Sequence, residues 1–190
     1  MADEQQTEEI DADGLAIQEH RSTVLIVVPN EDFDDQTLRH VRSSLKNVHV
    51  GTRAVSTRTD ATVSGRLQDE FQVDGEVHSV SLEEHVGVVF VGCERDTAFL
   101  SDPDVLRLAT EAASTGKLIG AWGLATLVLA RAGILRKRRV TGAAAVAEEV
   151  ERAGGRYEGR QIVVDDHLVT GIDESSGLRL GKALAQQVRI

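Results

Sequence analysis

Residues 117–135, KLIGAWGLATLVLARAGIL, decide the fold of this chain. The segment begins as a short apolar strand up to Ala121, makes one sharp corner at Trp122-Gly123, and continues as an apolar helix to about Ala132. Corners of this kind present a nucleophile in several α/β enzymes, because the corner side chain projects from the C-terminal edge of the sheet. Here the corner carries Trp122, which has no nucleophilic atom. The stretch therefore predicts an α/β fold and argues against a nucleophile at the corner.

The rest of the chain repeats this alternation of strand and helix. Continuous β-branched runs, such as TVLIVV at residues 23–28, are typical of strands buried on both faces. The predicted strands cover residues 23–28, 48–54, 86–91, 118–121, 161–164 and 167–170, and the predicted helices cover 34–46, 103–114, 124–132, 146–153 and 176–188. A polar, glycine-punctuated stretch at 57–81 predicts a hairpin or an excursion from the main sheet. The pattern predicts a three-layer α/β/α sandwich of flavodoxin-like type, with a mostly parallel, doubly wound sheet.

Composition and charge divide the chain into a tail and one domain. Residues 1–20 hold seven acids and no Lys or Arg, so a disordered acidic tail is predicted for residues 1–21 and a single domain for 22–190. The remaining 24 acids and 21 bases give the domain a net charge of about −3, which argues against a general nucleic-acid binder. No apolar run approaches the length of about 20 residues that spans a bilayer, so no membrane is expected. The single cysteine, Cys93, fits a reducing cytoplasm.

Three turns are predicted to meet at one edge of this sheet. They are the turn at residues 30–35, the Gly92-Cys93 turn and the Trp122-Gly123 corner. Ligand sites in such sheets lie beyond the carboxyl ends of the strands. The candidate binding residues are therefore Asp34, Gly92, Cys93, Trp122 and Gly123.

These turns, in this order, resemble those of the DJ-1/PfpI family of the class I glutamine-amidotransferase-like superfamily. Residues 30–38, NEDFDDQTL, resemble the family's acidic motif after its first strand. Residues 89–93, VFVGC, resemble its strand ending in two glycines, and residues 119–123, IGAWG, resemble its Cys-His elbow. Segments 132–138, 153–155 and 163–171 are similar to later parts of the family pattern. The resemblance covers about residues 22–188 and implies the family's fold and a homodimer.

The departures from the family pattern bear on activity. The resemblance places Trp122 at the position of the nucleophilic Cys and Gly123 at that of the adjacent His. Cys93 replaces the second glycine, and Asp34 stands where many relatives have Glu. The family's cysteine-dependent peptidase, amidase and deglycase activities are therefore not expected here, and no cofactor is implied.

Three functions remain open from the sequence. The first is a non-catalytic DJ-1/PfpI-like protein that binds a small ligand or a protein partner. The second is a diverged hydrolase or lyase that uses Asp34, with or without Cys93, whose thiol would need a cationic neighbour such as Arg95. The third is an oligomeric structural or regulatory protein. Trp122 either fills the space at the corner or lines it as a stacking platform. A buried indole N–H needs an acceptor, which Asp34 can supply.

Other clusters favour structural explanations. Glu31, Asp32, Asp34 and Asp35 suit either a hard-cation site or the N-terminus of a helix, where acids complement the dipole. The histidines and the cysteine lack zinc-ligand spacing, so no metal is predicted. The basic run at residues 136–139 has no interleaved aromatic residues, so nucleic-acid binding is not expected.

Overall fold

The computed structural model describes residues 22–58, 62–67, 70–94 and 96–188. Its strands are β1 (Thr23–Val27), β2 (Glu31–Phe33), β3 (Gly51–Ser56), β4 (Thr62–Gly65), β5 (Glu70–Gln72), β6 (Gly75–Glu76), β7 (Gly87–Phe90), β8 (Leu118–Trp122), β9 (Arg139–Val140), β10 (Arg156–Tyr157), β11 (Ile162–Asp165) and β12 (Leu168–Gly171). Its α-helices are α1 (Asp35–Lys46), α2 (Pro103–Thr115), α3 (Thr126–Arg131), α4 (Ala147–Arg152) and α5 (Gly177–Gln187). Short 3₁₀ turns cover Val77–Ser79, Phe99–Ser101, Gly123–Ala125, Ala144–Val146 and Glu174–Ser176. The predicted acidic tail lies outside the described residues.

The main sheet has the strand order β11-β12-β8-β7-β1-β3-β6. Its strands run parallel except β11, which pairs antiparallel with β12. One core cluster packs under α2, α3 and α4, and a second packs under α1 and α5. This arrangement confirms the predicted three-layer sandwich with a mostly parallel, doubly wound sheet. The buried β-branched runs lie where both faces are covered, which is why their sequences show no polar alternation.

Helix α1 follows directly from its sequence. Asp34 caps its N-terminus by accepting a hydrogen bond from the Thr37 backbone N–H, and Leu38, Val41 and Leu45 bury one face at helical spacing. The predicted bounds of this helix are confirmed. Its position brings the Asp34 end to the carboxyl edge of the main sheet.

Several boundaries differ from the sequence prediction, and two of these differences lie at turns. Strand β3 begins at Gly51 rather than at residue 48, because the chain after α1 makes a turn through His49, which has φ of 59°. The backbone N–H groups of Val48 and Val50 in this turn donate to the Leu45 carbonyl and close the end of the helix. The second difference lies at the corner after β8, where a 3₁₀ turn precedes α3.

The predicted excursion between β3 and β7 is confirmed, and of its strands β6 pairs with β3 in the main sheet while β4 and β5 belong to a separate small sheet. Strands β4 and β5 form an antiparallel hairpin, and β4 also pairs with β2. A single β-bridge between Phe33 and Cys93 connects the end of β2 to the turn after β7. Within the described ranges, no helix combines the length and apolar character needed to cross a lipid bilayer.

Candidate functional site

The left-handed residue of the strand-to-helix corner is Gly123. Trp122, the last residue of β8, has extended backbone angles of −146° and 159°. Gly123 has φ of 59°, a region that favours glycine. A Cβ on Gly123 would meet no heavy atom within 4 Å, so backbone conformation rather than crowding explains the glycine. The residue that makes the turn therefore carries no side chain.

The indole of Trp122 lies inside the molecule. Trp122 is 1% exposed and belongs to the core cluster under α1 and α5. Its Nε1–H donates a hydrogen bond of 3.0 Å to Oδ2 of Asp34, the acceptor expected from the sequence. Trp122 thus occupies the space beside the corner as a packed core residue.

Each carboxylate oxygen of Asp34 accepts a hydrogen bond from within the protein. Its Oδ1 accepts from the Thr37 backbone N–H at 3.1 Å, and its Oδ2 accepts from Trp122. Its own backbone N–H donates to the Gly92 carbonyl at 3.0 Å. The residue is 6% exposed, so this carboxylate joins α1, β8 and the turn after β7 in the interior.

The absence of a side chain at Gly92 leaves space for the indole of Trp122. A Cβ at this position would lie 2.8 Å from both Cδ1 and Nε1 of Trp122 and 2.9 Å from its carbonyl oxygen. Any larger residue would therefore push the indole away from Asp34. The three turns predicted to meet at this edge do meet, and their contacts leave little space between them.

Cys93 is poorly suited to nucleophilic chemistry. It is 4% exposed, and its Sγ lies 3.7 Å from the Asp96 carbonyl oxygen. Burial, followed by the negative charge of Asp96, raises the pKa of Cys93 to about 12, and nearby Arg66 opposes this shift only in part. Arg95, the cation considered from the sequence, lies outside the described residues. The thiol is therefore protonated at neutral pH, whereas thiol nucleophiles react as thiolates.

The four acids near the start of α1 do not converge on one point. Asp34 binds Trp122, and Asp35 accepts a hydrogen bond from the Leu67 backbone N–H at 2.8 Å. Glu31 is exposed, and Asp32 is half-buried with φ of 57°. Across the part of the chain that the structure describes, no group of three or more His, Cys, Asp or Glu side chains is arranged to hold a metal ion.

One arrangement at this edge was not predicted from the sequence. Arg66, just after β4, bridges Glu94 at 3.1 Å and Glu174 at 2.8 Å. It thereby ties the small sheet to the turn after β7 and to the start of α5. Its partners are far apart in sequence, and residues 57–81 gave only the signal of a hairpin, so no local pattern could have revealed the bridge.

The basic run at residues 136–139 faces nearby acids. Arg138 lies 3.9 Å from Asp166, and Arg139 lies 3.9 Å from Glu158 and 3.7 Å from Asp165. These carboxylates lie close enough to offset part of the positive charge of the run.

Four of the surface cavities in the described part of the molecule have volumes of about 330 to 570 Å³. The one of about 570 Å³ lies at the opposite edge of the main sheet, beside His85, Lys117 and His167. None of the four is lined by Asp34, Cys93 or Trp122.

The fold and this edge together define a class of protein. It is the class of doubly wound α/β/α proteins that place a strand-to-helix corner against an acidic turn. A family model, described as the DJ-1/PfpI family, matches residues 22–187. The chain belongs to the DJ-1/PfpI family.

The chain is also similar to individual proteins. An uncharacterized protein from Methanocaldococcus jannaschii is 31% identical over 150 residues, covering 77% of this chain and 73% of the relative. A ThiJ/PfpI domain protein from Brachyspira murdochii superposes with a TM-score of 0.83 at 22% identity, over 87% of this chain and 95% of that one. Schizosaccharomyces pombe DJ-1 superposes with a TM-score of 0.77 at 18% identity, over 89% and 92% of the two chains. At these identities the two solved structures show a shared fold.

Proposed function

We propose that this chain is a non-catalytic DJ-1/PfpI protein that acts by binding a protein partner, with a second copy of itself as the first candidate. The observation that carries the proposal is the closed corner. Gly123 has no side chain at the turn, and the indole of Trp122 fills the adjoining space, where it donates its hydrogen bond to Asp34. A site for cysteine-dependent chemistry would need a thiolate there and room for a substrate.

The contacts at the corner also disfavour a diverged hydrolase or lyase. A general acid or base must reach the proton that it transfers, and both oxygens of Asp34 already accept hydrogen bonds inside the protein. Cys93 is buried and protonated. These two groups are the ones on which the enzymatic alternative depends, and neither presents a reactive atom to solvent.

A small ligand at the corner is less well supported than a protein partner. Stacking on Trp122 would require an open indole face, but Trp122, Cys93 and Asp34 are only 1%, 4% and 6% exposed. A filled corner is the arrangement expected of a structural or regulatory protein that functions through its outer surface. The single buried cysteine supports placement in a reducing compartment such as the cytoplasm.

The test is an activity assay on the purified full chain and two variants. The wild-type protein should show only buffer background with generic peptides and with glycated amino acids. Cys93→Ser and Asp34→Asn should give the same background, and circular dichroism should confirm that both variants fold. Turnover by the wild-type protein that either substitution abolishes would overturn the proposal and establish the diverged enzyme instead.

A further inference from the structure

A basic groove runs along the outer face of α1. It has a volume of about 480 Å³ and is lined by Arg39, Arg42, Ser43, Lys46, Val50, Gly51 and Thr52. Its three cations, Arg39, Arg42 and Lys46, are exposed and stand three and four positions apart, so they share one face of the helix. We call this feature the basic groove.

The described residues that line the groove include no carboxylate. The acids Asp35 and Glu70 lie with Arg39 and Arg42 in an adjoining cavity. Arg42 is also held in place, because its Nε donates to Oγ1 of Thr52 at 3.1 Å and its guanidinium lies 5.0 Å from the centre of the Phe71 ring. A fixed cation loses less conformational entropy than a free one when it binds an anion.

The N-terminal segment leaves the domain at the rim of this groove. The carbonyl of Ser22 accepts a hydrogen bond of 3.0 Å from the backbone N–H of Gly51, which is itself a lining residue. The preceding residues 1–20 carry seven acids and no Lys or Arg. The most acidic segment of the chain therefore starts beside the exposed cations of α1.

The segment is also long enough to reach every cation in the groove. Glu19 is three residues from Ser22, which corresponds to a reach of about 10 Å for an extended chain. Arg39 and Lys46 are separated by about 10 Å along the helix axis, at 1.5 Å per residue. The length of the chain therefore allows Glu19 to reach Lys46, and it allows Asp11 and Asp13, which are eleven and nine residues from Ser22, to reach Arg39.

We propose that the acidic segment of residues 1–20 occupies the basic groove of its own chain. This contact goes beyond the proposed function, because it assigns an occupant to one particular surface. It consists of exposed ion pairs, so it is sensitive to salt and contributes little to the stability of the domain. An acidic partner that approached α1 would first have to displace this segment, which makes it an internal competitor for the groove.

A paramagnetic label on the segment tests the contact in the full chain. Cys93→Ser removes the only native thiol, and Ala12→Cys then places a nitroxide between Asp11 and Asp13. In dilute salt, amide signals of Arg39 to Lys46 and of Thr52 should broaden, whereas those of α2 and α4, on the other side of the sheet, should not. At 1 M salt, where the screening length is about 3 Å, the broadening should disappear.

Matched charge variants separate the groove from general attraction. Arg42→Gln with Lys46→Gln should weaken occupancy of the groove by roughly three- to tenfold, the range expected for the loss of two exposed ion pairs. Arg136→Gln with Lys137→Gln, which removes the same charge from a different surface, should leave the broadening unchanged. Equal effects of the two double variants would overturn the proposal, as would broadening that is uniform or insensitive to salt.

Mixing experiments distinguish a chain's own segment from that of a second copy. Isotope-labelled chains without the nitroxide are combined with unlabelled chains that carry it. The proposal expects no broadening of the α1 signals in this mixture. Broadening that appears only between chains would refute occupancy within one chain.

Discussion

Truncation of Trp122 to alanine tests whether the corner is packed or open. The indole is 1% exposed, contacts Gly92 closely and donates its N–H to Asp34. A packed corner requires all three features, whereas a ligand platform would leave one face of the ring in solvent. The same residue is the only tryptophan in the chain, so its intrinsic fluorescence reports on this corner alone.

The expected cost follows from these contacts. Removal of a large buried aromatic side chain costs about 3–5 kcal/mol. Trp122→Ala also leaves Oδ2 of Asp34 buried without its donor, a loss of about 1–3 kcal/mol that overlaps in part with the first. We therefore expect the free energy of unfolding to fall by about 5 kcal/mol, which is enough to unfold a marginally stable domain. Trp122→Phe keeps a ring but removes the donor, and it should cost about 2–3 kcal/mol.

Two measurements test whether the corner is packed or open. In the wild-type protein, tryptophan emission should be blue-shifted and poorly quenched by acrylamide. Urea unfolding followed by far-ultraviolet circular dichroism gives the cost of each variant, because the variants lack the fluorophore. Leu124→Ala, at a half-buried position just past the corner, serves as a control and should cost less than Trp122→Ala. Emission close to that of free indole in water, or a cost below about 1 kcal/mol for Trp122→Ala, would refute the packed corner.

Three further outcomes are expected. Because burial raises the pKa of Cys93 to about 12, its thiol should not react with a disulfide reagent at neutral pH until the protein unfolds, and rapid labelling of the native protein would contradict this. Burial, and then the charges of Arg53 and Lys117, lower the pKa of His85 below its usual 6.5, so the unfolded chain binds a proton at His85 more tightly than the folded protein does. The free energy of unfolding should therefore fall as the pH drops below about 6.5, and His85→Gln should make this dependence on pH weaker. Light scattering should give the mass of a homodimer, and a mass near 20.5 kDa at micromolar concentration would exclude it.

The sequence predicted the architecture because its signals are strong and local. The β-branched run at residues 23–28 and the capped, amphipathic helix at 34–46 each indicate one type of element. The start of β3 was predicted three residues early because the valines at 48 and 50 imitate strand alternation. The left-handed conformation of His49, which closes the turn after α1, leaves no pattern in the sequence.

The candidate site was predictable in part for the same reason. The meeting of three turns follows from parallel strands that end at one edge, and the hydrogen bond from Trp122 to Asp34 follows from the need of a buried indole for an acceptor. That the turn conformation falls on Gly123 depends on backbone angles that residue types alone do not determine. The Arg66 bridge depends on contacts between distant segments.

The same contacts explain why an acid at the corner is not evidence for catalysis. Asp34 caps α1 with one oxygen, and burial of the other oxygen without a donor would cost about 1–3 kcal/mol. The indole of Trp122 supplies that donor and fills the adjoining space, and Gly92 leaves room for the ring. In a corner without a Cys-His pair, the carboxylate therefore stabilises the fold itself. At this edge Asp34 joins three segments, α1, β8 and the turn after β7.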